Sequence, residues 1–103
     1  MVLIMVTSMI PFEKGAEVRR KYDKIQQKFP FPPYIKKKQI GARTVREGMK
    51  AIAVYEVEKG KIAEALNFVY RYETEFAGIE GYSDDIETLL EMEELTGVAS
   101  PLN

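Results

Sequence analysis

The chain has 103 residues with 15 Lys and Arg against 16 Asp and Glu, and it contains no His, Cys or Trp. A length of this order supports one domain with one core that buries about two-thirds of the unfolded surface, so residues 1–103 read as a single unit that dimerisation would usefully supplement. The missing cysteines exclude disulfides and thiolate chemistry, and the missing histidines remove the commonest general base and the commonest metal ligand.

The net charge of −1 conceals a segregation: residues 1–50 carry +8 and residues 51–103 carry −9. A basic surface could meet nucleic acid through Arg19, Arg20, Lys21 and Lys36 to Lys38. Nucleic-acid affinity usually accompanies an overall basic domain, however, so mutual neutralisation of the two halves, within or between chains, is the favoured account. The apolar start, Met1 to Ile10, is too short to span a bilayer and lacks a basic leader. The expectation is a cytoplasmic protein without a membrane partner.

In chain order, Val2-Leu3-Ile4-Met5-Val6 opens a strand through Ser8 that does not alternate, as a central strand covered on both faces would read. Pro11 and Glu13 suit a first helical turn. Val18, Tyr22, Ile25 and Phe29 then recur at helical spacing until Pro30, Pro32 and Pro33 stop the helix. Tyr34 to Val45 reads as a second strand, with Ile35, Lys37 and Gln39 on one face and Lys36, Lys38, Ile40 and Ala42 on the other. Its three consecutive lysines mark an edge. Arg46-Glu47-Gly48 makes a hairpin turn, and a third strand follows with Met49, Ala51, Ala53, Tyr55 and Val57 on one face, where the two alanines leave room. Ile62, Leu66, Val69 and Phe76 form the stripe of a second helix over Lys61 to Ala77, closed by Gly78 and Gly81.

The tail admits two readings. Propensity favours a helix capped at Ser83 to Glu87, whereas topology favours a strand through Tyr82 to Leu90 with a short turn at Met92 to Thr96. Only the strand gives the apolar first strand a neighbour on each side. The resulting order is the βαββαβ arrangement of a ferredoxin-like α+β fold, a four-stranded antiparallel sheet with two helices on one face.

With Val54-Tyr55-Glu56-Val57 running into Lys59-Gly60-Lys61, and Gly81-Tyr82 leading to Ile86-Glu87 and Glu93-Glu94, the chain resembles the dimeric α+β barrel superfamily and, within it, small uncharacterised microbial proteins. The resemblance implies a homodimer whose sheets pack face to face. It also implies a range of activities, from heme-degrading and antibiotic-biosynthesis monooxygenases and chlorite dismutase to lactone isomerases and the ligand domains of feast/famine regulators, among which fold does not choose. In such a dimer the basic edge (Lys36, Lys37, Lys38) is expected to meet the partner's acidic edge (Asp84, Asp85, Glu87).

The favoured function is a homodimer that binds a small molecule in a cleft between sheet and helices, walled by Tyr22, Tyr55 and Tyr72 with Arg43 as an anion anchor. A cofactor-independent monooxygenase or isomerase using Tyr55 and Glu56 is the alternative, and a nucleic-acid-associated regulatory domain the second. Each residue also has a plainer role: the tyrosines as core, Glu56 as an ion-pair partner, Arg43 as a solvated edge residue. No cofactor is expected, since no histidine exists to hold heme iron. No metal is expected either, because Glu87 and Glu91 on a strand stand too far apart to share one.

Overall fold

The computed structural model describes residues 2–90. The apolar run at the start forms β1 (Val2–Ile10). One 3₁₀ turn (Phe12–Lys14) leads into α1 (Gly15–Lys28). Then come β2 (Ile35–Val45), β3 (Gly48–Val57), α2 (Ile62–Thr74) and β4 (Ser83–Leu90). The tail segment is therefore a strand. The sheet runs β2-β3-β1-β4 with antiparallel neighbours throughout, which is the ferredoxin-like α+β order expected from the sequence. The short turn expected at Met92 to Thr96, together with Glu91 and Glu93-Glu94, lies outside the described residues.

The helices lie on one face of the sheet. Ile4, Val6, Tyr55, Val57 and Ile35 from the strands pack with Ala65 and Val69 of α2. A second cluster joins Ile25 of α1 to Tyr72, Phe76 and Ile79. Phe31, in the proline-flanked loop, ties the two together: its ring lies 5.1 Å from Tyr55, 4.9 Å from Phe68 and 5.2 Å from Tyr72. The prolines stop α1 and also restrict the backbone that carries this ring.

Two details differ from the sequence reading. The helix α2 ends at Thr74 rather than Ala77, because Phe76 and Ala77 donate backbone hydrogen bonds three residues back, to Glu73 and Thr74, as in a tightening last turn. In β2 a bulge lies between Lys37 and Gln39, so that Lys37 pairs with Tyr55 and Ile40 with Ala53. The extra residue reverses the alternation beyond it. Ile40 and Ala42 thus share the helix-side face with Ile35 and Lys37, while Gln39 and Arg43 turn to the open side.

The coverage on both faces expected for β1 from its non-alternating pattern is not found among the described elements: its burial alternates. Ile4, Val6 and Ser8 are buried under the helices, but Leu3, Met5, Thr7 and Met9 point to a face that no described element covers. Their register neighbours on that face include Ile52 and Val54 of β3 and Leu89 of β4.

Glycine is required at the β2–β3 turn. Gly48 has φ +155°, and a Cβ there would collide with the carbonyl oxygen of Ile10. Gly48→Ala is expected to destabilise the fold by at least about 2 kcal/mol, read from the midpoint of urea unfolding.

Candidate functional site

Between the sheet and the helices lies a cavity of about 110 Å³. Val6 and Ser8 of β1, Ala51, Ala53 and Tyr55 of β3, and Val18 and Tyr22 of α1 line it. Tyr72, Glu73 and Phe76 close it from the α2 side, with Tyr82 at the end next to β4. The space exists because Ala51 and Ala53 project small side chains where β3 passes under the helices. Half-exposed Ile40 lies at the rim.

The polar end of this cavity is one connected group. The Tyr82 hydroxyl is 2.8 Å from Glu73 Oε1 and 3.0 Å from Ser8 Oγ. Ser8 and Glu73 are the two buried polar residues among those described. With Glu73 ionised, Tyr82 donates its single hydroxyl hydrogen to the carboxylate, and Ser8 then donates to the Tyr82 oxygen. Every buried side-chain polar atom among the described residues has a partner. Tyr72 is fixed in the same way, its hydroxyl accepting from Gln26 Nε2 of α1 at 2.8 Å.

Burial dominates the electrostatics. Removal from water pushes the Glu73 carboxyl up to about 7; the neighbouring Asp84 carboxyl pushes the same way, and the Tyr82 hydroxyl opposes both. Among the described residues no Lys or Arg forms an ion pair with Glu73. Tyr55, Tyr72 and Tyr82 are all raised, chiefly by burial, so their hydroxyls keep their protons. The arrangement is an apolar, aromatic-walled chamber with one titratable group, poised near neutrality.

Tyr22, Tyr55 and Tyr72 meet at this chamber. Glu56 and Arg43 do not join them. Glu56 stands on the open face, 3.2 Å from Lys38 Nζ. Arg43 lies on the same open face beside Gln39, Lys50, Ile52 and Val54, around a shallow depression. Lys37, carried to the helix side by the bulge, reaches the Tyr22 hydroxyl at 3.4 Å and the face of Phe31 at 5.9 Å. Lys36 and Lys38 remain on the open side with Asp85 and Glu87, whereas Asp84 shares the helix side with Glu73. Of the basic residues on α1, Arg19 pairs with Asp23, and Arg20, Lys21 and Lys24 share a surface groove with Glu17 and Glu75.

Glu73, Tyr82 and Ser8 were not singled out by sequence reasoning, yet a signal existed for the first. Glu73 follows Val69 by four residues and Leu66 by seven, and precedes Phe76 by three. A carboxylate inside an apolar helical stripe is a buried acid.

No family model matches the chain, and no curated protein matches it. Among solved structures it is similar to the de novo designed protein Foldit4, at 12% identity and TM-score 0.56 over 87% of this chain and 97% of that one. It is similar to a Caulobacter crescentus CB15 protein proposed as an antibiotic biosynthesis monooxygenase, at 17% identity and TM-score 0.54 over 87% of this chain and 91% of that one. It is also similar to Rv0793 from Mycobacterium tuberculosis, at 9% identity and TM-score 0.51 over 89% and 96% of the two chains. A designed sequence and natural ones share this scaffold, so the likeness carries fold and leaves activity to the site. The chain is a small ferredoxin-like α+β domain.

Proposed function

We propose that this protein binds a small, largely apolar molecule with one polar group in the chamber between sheet and helices, and that it does so as a homodimer. The observation that carries the ligand is the chamber itself: an apolar cavity with the only buried polar cluster of the described residues at its end. Such a pairing of apolar walls with a few convergent polar groups suits a small-molecule site. Size sets the class. An apolar cavity of about 150 Å³ holds benzene, so about 110 Å³ suits a five-membered ring or a branched chain of similar bulk.

Ala53→Leu should fill the chamber. The variant is expected to keep its far-UV circular dichroism and to lose binding of cyclopentanone, read by saturation-transfer NMR. Unchanged binding in a folded variant would place the ligand elsewhere.

Support for the homodimer comes from the open face. Four strands about 4.8 Å apart and up to about 30 Å long present roughly 600 Å² of flat surface, the order of one partner's share in a standard interface. Leu3, Met5, Ile52, Val54 and Leu89 give it an apolar centre. Basic Lys36, Lys38 and Arg43 lie towards one border, and acidic Asp85 and Glu87 towards the other. A two-fold axis parallel to the strands brings each border to the partner's opposite one, and every such contact occurs twice. Exposed pairs of this kind contribute roughly 0–1 kcal/mol each, so the apolar centre must hold the dimer and the charges orient it. Reversing Lys36 and Lys38 to Glu is expected to weaken the dimer about tenfold by sedimentation, whereas raising salt has a modest effect. A monomeric wild-type chain at working concentration would refute the assembly.

A further inference from the structure

Glu73 and Tyr82 line two spaces at once. They face the inner chamber, and with Asp84, Thr74 and Ser83 they also line a groove of about 280 Å³ on the outer surface beside β4. They therefore stand between the apolar chamber and the outer groove. We propose, on the ligand-binding function argued above, that Glu73 is a general base for small enolisable carbonyl compounds held in the chamber, and that it exchanges the abstracted proton with solvent through the outer groove.

The step balances within the residues present. The carboxylate of Glu73 takes the proton from a carbon next to the carbonyl group. The C–H bond breaks, an O–H bond forms on Glu73, and the electron pair moves through the new C=C bond to the carbonyl oxygen. Neutral Glu73 no longer holds the hydrogen of Tyr82 by charge. That hydroxyl, 3.0 Å from Ser8 Oγ at the chamber end, is then free to turn towards the enolate oxygen. Asp84 lines the groove with Glu73 and can take the proton onward to water. Return of a solvent proton to the same carbon restores the ketone, so no oxidant or co-reactant is needed.

The titratable groups facing Glu73 are Tyr72 on its own helix, Tyr55 from β3, Tyr82 from the loop before β4 and Asp84 from β4. The tyrosines stay neutral over the accessible range, so one ionisation governs the reaction. The base must be ionised. Exchange therefore rises with pH through about 7 and then levels. Removing the Asp84 charge lowers the Glu73 midpoint and moves the whole profile to lower pH.

The test is deuterium incorporation next to the carbonyl of cyclopentanone in heavy water, followed by proton NMR from about pH 5 to about pH 9, with binding read in the same tubes by saturation transfer. The wild-type protein should accelerate exchange over buffer. Glu73→Gln should lose at least about 100-fold of that acceleration, the usual contribution of a positioned base. Asp84→Asn, which removes the relay carboxyl, should slow exchange and move the midpoint of its profile to lower pH, a shift that a merely structural role would not produce. Ala53→Leu, with the base intact and the chamber filled, should be inactive. Binding without exchange would overturn the base and leave the ligand site standing. Exchange surviving in Glu73→Gln or in Ala53→Leu would overturn it equally. Absence of binding by cyclopentanone and by cyclopentane would overturn the ligand function and this chemistry together.

Discussion

Glu73→Gln is expected to stabilise the fold by about 3 kcal/mol at about pH 8 and to change it little at about pH 4. The magnitude follows from the rise of the carboxyl from 4.5 to about 7, at about 1.4 kcal/mol per pKa unit. The direction follows from proton counting. Below 4.5 both folded and unfolded chains hold the Glu73 proton, and burial of a neutral acid that contacts Tyr82 carries no charge penalty. Between 4.5 and about 7 the unfolded chain releases the proton while the folded chain keeps it, so stability falls as pH rises. Above about 7 the folded chain carries a buried charge and the loss is complete. Glutamine removes that charge, its carbonyl still accepts from Tyr82, and its amide can donate towards Asp84. For a domain of this size the gain corresponds to roughly 15 °C in Tm. Thermal unfolding of both proteins across that pH range measures it. Parallel curves for the two would mean that Glu73 is not held neutral by its surroundings.

Phe31→Ala is expected to destabilise the fold by about 3 kcal/mol, independent of pH. Its ring lies within 5.2 Å of the rings of Tyr55, Phe68 and Tyr72, and Lys37 stands over its face. Truncating a buried phenylalanine costs about 3–5 kcal/mol, and Phe31 is partly exposed, so the lower end applies. The ring also locks the loop between α1 and β2 against the edge of the chamber wall formed by Tyr55 and Tyr72. Ligand affinity should therefore fall with stability. Phe31→Leu, which keeps apolar bulk, should recover most of the stability. The unfolding midpoint in urea compares the three proteins at a constant slope.

Much of the architecture was legible because single residues had few ways to be satisfied. The continuous apolar β1 required neighbours on both sides, and that requirement made the tail a strand against its own propensity. The lysine run placed β2 at an edge. The bulge at Lys38 was not legible, since three identical side chains carry no phase and the alternation beyond them can start on either face. The consequences reach the site: the bulge carries Lys37 towards Tyr22 and turns Arg43 away from the chamber. The tyrosine walls were read from helical spacing and from the alternation of β3. The acid was not. Glu56 was legible as pointing away from Tyr55, since adjacent strand residues face opposite ways, and it stands on the open face beside Lys38. Glu73 looked like one of several charged residues near the end of α2, and its contacts are not local: Tyr82 lies 9 residues beyond it, and Ser8 lies 74 residues before Tyr82.

The most direct measurement is the titration of the Glu73 side-chain carboxyl by carbon-detected NMR, alone and with cyclopentanone. A buried carboxyl at the end of a ligand chamber should titrate with a midpoint of about 7, and the midpoint should move when the chamber is occupied. A midpoint near 4.5, unmoved by the ligand, would show an ordinary solvated acid and no chamber acting on it.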